Sequence, residues 1–157
     1  MIANTYFLET KRNIIVDGNF TKMIYSTDLF SMNGVYFLFP IEINSLDRIA
    51  NKYIIKFNPY GRKNQAVIKE FVKLELRILE YYKQMYGCSC KIVNSLSKQM
   101  FSGSMKTYRD YIIDLNNPTE DANKTARFVL KVSGVWETKD DIGLTFKLFQ
   151  VIDDCVA

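Results

Sequence analysis

The sequence predicts an α+β or mainly β fold, built as an antiparallel OB-like β-barrel or as a sandwich, with one long helix. Short apolar segments that alternate with polar residues occur on both sides of residues 65–86. Residues 65–86 themselves have helical periodicity. Residues 128–151 form two apolar runs around a polar turn that ends at Gly143, which predicts a hairpin. Strands, one helix and more strands fit either architecture.

Length and composition predict a single folded domain over residues 1–157. The chain has 157 residues, of which 48% are hydrophobic and 14% aromatic, enough to form a core and too apolar for disorder. The net charge of +4 permits binding to nucleic acid without requiring it. Neither an internal repeat nor a domain linker is evident in the sequence.

The first part of the chain predicts strands separated by short turns. The strongest candidate is 35–44, where Pro40 indicates a sheet edge or a bulge. A polar segment at 58–64, containing proline and glycine, predicts a loop before the helix. The other predicted strands in this part are 6–11, 13–16, 20–26 and 52–57.

The predicted helix at 65–86 is amphipathic. Its apolar stripe faces a core and its charged side faces solvent. Asn64 is a candidate for the N-terminal cap and Gly87 for the C-terminal cap. The stripe comprises Val67, Phe71, Leu74, Ile78 and Met85, widened by Ile68, Val72, Leu79, Tyr82 and Tyr86.

The chain after the helix predicts further strands at 91–100 and 107–115, a mobile loop at 116–124 and a short tail at 152–157. In the terminal hairpin, alternation places Phe128, Leu130 and Val132 on the inner face. The same parity assigns Trp136, the single tryptophan, to that face as a core residue.

Residue types exclude several kinds of active site. The chain has no histidine, which removes imidazole catalysis and histidine metal ligands. Cys88, Cys90 and Cys155 lack the number and spacing of a structural zinc site, so we expect free thiols, no metal and no cofactor. A minor alternative is a metal-dependent nuclease, with Glu137 and Lys139 in a Glu-x-Lys motif and Asp114 as the upstream carboxylate.

The sequence carries neither a signal peptide nor an apolar stretch long enough for a membrane helix. Free thiols are typical of a reducing compartment. We therefore expect a soluble, intracellular protein without a membrane partner.

Basic residues interleave with aromatic residues in several segments, a pattern that favours single-stranded nucleic acid. Aromatic rings stack on bases and cations contact phosphates. The loop at 60–63 is the best candidate, because Gly61 frees the backbone and we expect the two cations that follow it to be exposed. The predicted function is non-enzymatic binding of single-stranded nucleic acid through a basic, aromatic-lined β-surface. The predicted binding residues are Tyr53, Lys56, Tyr60, Arg62, Lys63, Lys106, Tyr108 and Arg109.

The run Phe-Val-Leu-Lys-Val-Ser-Gly-Val-Trp-Glu-Thr with Gly-Leu-Thr-Phe-Lys-Leu, within 128–149, resembles the C-terminal signature of small proteins of nucleocytoplasmic large DNA viruses. Some of these are similar to phage-type single-stranded-DNA-binding proteins with an OB-fold barrel. The resemblance implies an accessory of viral DNA replication or repair, located in the host cytoplasm, the viral factory or the virion. The alternative that it leaves open is a structural or minor virion protein, which acts through contacts with virion proteins or with copies of itself.

Overall fold

The computed structural model describes residues 3–13, 18–109 and 126–152, and this part of the chain is mostly β. Strands account for 50% of it and helices for 26%. The predicted mainly β class with a long central helix is confirmed. In chain order, the elements are β1 (Thr5–Asn13), β2 (Gly18–Ser26), β3 (Ser31–Met32), β4 (Val35–Leu38), β5 (Ser45–Ile49), β6 (Lys52–Lys56), α1 (Arg62–Tyr86), β7 (Lys91–Ile92), α2 (Ser95–Ser102), β8 (Ser104–Arg109), β9 (Ala126–Glu137) and β10 (Asp141–Ile152).

All ten described strands belong to one sheet. Its main path runs β1-β2-β9-β10-β8-β6-β5, while β3 pairs with β2, β4 with β9 and β7 with β10. Neighbours are antiparallel, except that β7 and β8 run parallel to β10. The described strands do not close into a barrel, since the path ends at β1 on one side and at β5 on the other.

The terminal hairpin was predicted correctly, and it forms the centre of the sheet. β9 and β10 pair along nearly their whole length, from Ile142 opposite Glu137 to Ile152 opposite Ala126. The predicted turn was misplaced, because Gly143 lies inside β10 and the turn comprises residues 138–140.

Helix α1 begins three residues earlier than predicted, so Arg62 and Lys63 are helical and not in a loop. Asn64 is not the cap; Gly61 holds that position with an extended backbone. The Asn64 side chain is buried instead. It accepts a hydrogen bond from the Glu42 backbone N–H at 2.8 Å and donates to the Glu42 carbonyl at 3.0 Å. The predicted C-terminal cap is confirmed, with Gly87 in the left-handed conformation at φ 61°.

One face of the sheet, which we call the α1 face, is covered by α1. Phe71 packs against Phe37 and Phe39, and Tyr82 packs edge-on against Phe7. These contacts set the main hydrophobic core between helix and sheet. Fully buried core side chains include Met23, Ile55, Ile78, Leu79, Leu130, Val132 and Val135.

The strand predicted at 91–100 is wrong beyond its first residues, because α2 occupies most of that segment. The first turn of α2 lacks a cap from its own Asn94, and Glu75 of α1 supplies the acceptor instead. The Glu75 carboxylate accepts hydrogen bonds from the backbone N–H of Leu96 (2.8 Å) and of Ser97 (3.1 Å), and from the Ser97 hydroxyl (2.6 Å). A buried carboxylate thus satisfies N–H groups that a helix leaves without partners.

Other predicted boundaries changed in the N-terminal part. The strand predicted at 35–44 ends at Leu38, two residues before Pro40, and β5 was not predicted. The predicted segment 107–115 is strand only to Arg109 among the residues described, and β8 starts earlier, at Ser104.

The predictions for 14–16, 110–115, 116–124 and 153–157 lie outside the described residues. None of the described helices is long and apolar enough to cross a membrane.

Candidate nucleic-acid interface

The face of the sheet turned away from α1, which we call the outer face, carries cations and aromatic rings. Leu130 and Leu148 pair across β9 and β10 on the α1 face and are buried. The next residues along the strands, Lys131 and Lys147, also pair with each other, and strand alternation turns them to the outer face. The register therefore separates core side chains from charged ones, residue by residue.

Trp136 lies on the outer face, so its predicted place in the core is wrong. The register of β9 against β10 shifts between Thr145 and Phe146, which leaves Ser133 of β9 as an extra residue, a β-bulge. The bulge reverses parity along β9. Val135 consequently points to the core, and the Trp136 ring packs over Gly143, where a Cβ would collide with it.

Three lysines of the outer face lie close to aromatic rings. Lys106 Nζ is 4.6 Å and Lys147 Nζ is 4.9 Å from the centroid of the Tyr108 ring. Lys131 Nζ lies 5.7 Å from the centroid of Tyr36, which is 44% exposed. Such contacts hold the ammonium groups beside rings that remain accessible to solvent.

Further residues extend the outer face across the sheet. The register of β1, β2, β6, β8 and β9 brings their outward-pointing cations to the same side. Lys56, one of the predicted site residues, forms a salt bridge on this face, with its Nζ 3.2 Å from Asp47 Oδ2. The cations assigned to this face by alternation are Lys11, Lys22, Lys52, Lys56, Lys106, Arg127, Lys131 and Lys147.

A groove of about 420 Å³ lies between α2, β8 and β10, and its lining includes the buried Met105, Leu144 and Leu148 as well as residues of the outer face. Trp136 and Tyr108 contribute rings to it, and Lys106 and Lys147 contribute cations. This volume lies within the range of pockets that hold small organic groups. The groove therefore has room for a small planar group beside an ammonium group.

Two of the predicted site residues, Tyr53 and Arg109, lie on the opposite side of the sheet. Tyr53 pairs with Thr107, which is buried on the α1 face. The Arg109 guanidinium carbon stacks 3.8 Å from the Tyr53 ring centroid, and Arg109 Nε donates to Gln150 Oε1 at 3.0 Å. Strand alternation therefore places Tyr53 and Arg109 on a different surface from Lys106 and Tyr108.

The predicted loop residues form a third location at the start of α1. Tyr60 is 68% exposed and Arg62 is exposed. Lys63 Nζ pairs with Glu42 at 2.8 Å, and this carboxylate raises the pKa of Lys63. The eight predicted residues thus divide among three places, and Lys56, Lys106 and Tyr108 are those on the outer face.

Comparison with known proteins adds no relative. No family model, curated protein or solved structure matches this chain. The function is therefore inferred from the geometry of the chain's own residues.

The sequence patterns missed Trp136, Tyr36, Lys131 and Lys147 as members of one surface. The pairing of Lys131 with Lys147 and the bulge that precedes Trp136 bring these three hairpin residues to one side. Tyr36 lacked any signal in the sequence, because its partner Lys131 is distant along the chain.

A second polar cluster lies on the α1 face, where Glu137 ends β9. The Tyr82 hydroxyl donates to Glu137 Oε2 at 3.2 Å, and Cys90 Sγ lies 3.7 Å from Oε1. Burial raises the pKa of both the Cys90 thiol and the Tyr82 phenol to about 12. For the nuclease alternative, Lys139 lines the same cavity as Glu137, and Asp114 lies outside the described residues.

Proposed function

We propose that this protein binds single-stranded nucleic acid, without enzymatic activity, through the outer face of its sheet. The observation that carries the proposal is the set of lysines held against accessible rings, Lys106 and Lys147 at Tyr108 and Lys131 at Tyr36. A flexible strand places phosphates and bases in alternation, and this surface offers a partner for each.

The mechanism of binding combines two contributions. Lysines neutralise phosphates and release counterions, which makes affinity fall with rising salt. Rings such as Trp136, Tyr108 and Tyr36 stack on bases, each worth about 1–3 kcal/mol and with little sequence preference. A single strand exposes its bases for this stacking, whereas a duplex does not, so the proposal predicts a preference for single strands.

The test is fluorescence anisotropy of a labelled single strand of ~30 nucleotides at several salt concentrations, with a duplex for comparison. A triple alanine variant of Lys106, Lys131 and Lys147 removes three outer-face cations. The slope of log K against log salt should become shallower by about 2, since each phosphate contact on a single strand contributes about 0.7.

The matched control removes three cations from the exposed side of α1, at Lys69, Lys73 and Arg77. It changes the net charge by the same amount and should leave the slope unchanged. An equal decrease of the salt slope in the two variants would indicate nonspecific electrostatic attraction and would contradict the proposal. A third variant, with alanine at Tyr60, Arg62 and Lys63, should bind like the wild type, although the sequence favoured that loop.

A second candidate function is assembly through strand pairing, as a structural or minor virion protein. The sheet path ends at β1 and β5 without closing, which supports this candidate because an edge strand offers backbone groups to another copy. Light scattering after size exclusion distinguishes it. A concentration-dependent oligomer that does not bind the labelled strand would replace the first proposal.

The resemblance of residues 128–149 to proteins of large DNA viruses extends the first proposal to replication or repair. An OB-like barrel would require strands beyond those described to close the sheet between β1 and β5. Hydrogen exchange of the β5 backbone amides tests this extension, since pairing with a further strand protects those amides and a free edge does not.

A further inference from the structure

Two cysteines and a glutamate converge beside the C-terminal end of α1. Sγ of Cys88, Sγ of Cys90 and a carboxylate oxygen of Glu137 all lie within 4.8 Å of one another. Gly87 ends the helix in the left-handed conformation and turns the chain, and the Cys90 backbone N–H then donates to Cys88 Sγ at 3.2 Å. This turn brings both sulfurs to the same side, facing the end of β9.

The spacing of these three atoms is close to that of ligands around one metal ion. Zinc–sulfur bonds of about 2.3 Å at tetrahedral angles place two sulfurs roughly 3.8 Å apart. A zinc–oxygen bond of about 2.1 Å gives a sulfur–oxygen separation of about 3.6 Å, and the 3.7 Å between Cys90 Sγ and Glu137 Oε1 is close to it. Shifts of about an ångström or less would bring all three ligand atoms to bonding distance.

A hydrogen bond from a neighbouring side chain orients the carboxylate. The buried Tyr82 hydroxyl donates to Glu137 Oε2 and leaves Oε1 turned toward Cys90. Metal-binding carboxylates in proteins are commonly held in this way by a second hydrogen-bonding group. The cluster therefore resembles a preformed site more than a chance contact of three side chains.

A cavity of about 500 Å³ opens beside Cys90 and Glu137. Arg12 and Lys139 also line it. Two thiolates and a carboxylate around a divalent ion carry a net charge of −1, and these cations offset that charge. The cavity also leaves space for a fourth ligand, such as water.

We propose that Cys88, Cys90 and Glu137 form a binding site for a thiophilic divalent metal ion, of which zinc is the type. Two sulfur ligands favour zinc over magnesium or calcium, which bind oxygen. Binding replaces the thiol protons, which pass to solvent, and no oxidation or reduction occurs. The site lies on the α1 face and is independent of the outer face proposed to bind nucleic acid.

The test titrates reduced, metal-free protein with Co²⁺ and follows the sulfur-to-cobalt charge-transfer absorption. We expect one Co²⁺ per chain, displaced by Zn²⁺, and a rise in Tm on addition of Zn²⁺. Cys88→Ser and Cys90→Ser should each weaken the absorption and lower the affinity at least 100-fold. Tyr82→Phe keeps all three ligands and should weaken binding about tenfold, through loss of the carboxylate hydrogen bond.

Cys155→Ser is the matched control, because it removes the remaining thiol of the chain and should leave the titration unchanged. The proposal is overturned if reduced wild-type protein gives no absorption band. It is also overturned if the band survives in the Cys88→Ser/Cys90→Ser double variant or disappears in Cys155→Ser. Circular dichroism of each variant separates loss of a ligand from loss of the fold.

Discussion

The two faces of the central hairpin differ in both burial and charge. Leu148 is 1% exposed beneath α1, whereas its neighbour Lys147 is exposed on the outer face. Burial of the α1 face fixes the register, because a slip by one residue would put lysines into the core. Once that face has set the register, the outer face is free to carry rings and cations, such as those proposed to bind nucleic acid. Neighbouring residues should therefore affect different properties when they are substituted.

The largest effect on stability is expected on the α1 face. Leu130→Ala removes a fully buried side chain and leaves a cavity, which should lower the free energy of unfolding by about 2–5 kcal/mol. Val129→Ala, one residue away on the outer face, removes a half-buried side chain and should cost less than half as much. Urea denaturation of both variants measures the difference. Equal costs would contradict the assignment of the two faces.

A polar contact on the α1 side should come next in size. Glu75→Ala removes the acceptor for three hydrogen bonds at the start of α2 and leaves two backbone N–H groups without it. The expected loss is about 2–3 kcal/mol. Glu70→Ala is the control, since Glu70 is exposed and its pair with Lys73 spans 3.7 Å, which predicts a change below about 0.5 kcal/mol. Chemical denaturation with hydrogen exchange at Leu96 and Ser97 checks both values.

The position of Trp136 on the outer face leads to a smaller, more specific effect. Gly143→Ala places a methyl group against the Trp136 ring and should cost about 1–3 kcal/mol while altering tryptophan fluorescence. In a Trp136→Ala background, the same substitution should cost much less, because the ring is gone. A double-mutant cycle by denaturation measures this coupling. Purely additive effects of the two substitutions would contradict the placement of the Trp136 ring over Gly143 on the outer face.

Local patterns in the sequence predicted the elements whose apolar residues follow one regular periodicity. Helix α1 and the β9–β10 hairpin follow from one periodicity each, and both were found. Helix α2 was missed because its first turn is capped by Glu75, distant in sequence, and not by its own Asn94. Trp136 was misplaced because one extra residue at the bulge reverses parity, and periodicity alone does not reveal a bulge.

The candidate sites depended even more on contacts between distant segments. The cysteine spacing gave no sign of a third ligand, since Glu137 approaches Cys90 only through the sheet. Tyr53 and Arg109 were grouped with Lys106 and Tyr108 by composition, although they stack with each other on the opposite side of the sheet. Composition identified the residue types of the proposed binding surface, while alternation and register decided which of them share a face.

The smallest effect on stability, and the sharpest test of the two faces, comes from one outer-face charge. Lys147→Ala should change the free energy of unfolding by less than about 0.5 kcal/mol, because the ammonium group is exposed. On a labelled single strand, the same substitution should reduce the salt slope by about 0.7, the contribution of one phosphate contact. Lys69→Ala on the exposed side of α1 serves as control and should change neither value.

If Lys147→Ala destabilised the fold as Leu130→Ala does, the lysine would belong to the packing of the sheet. If both lysine variants flattened the slope equally, the outer face would have no special part in binding.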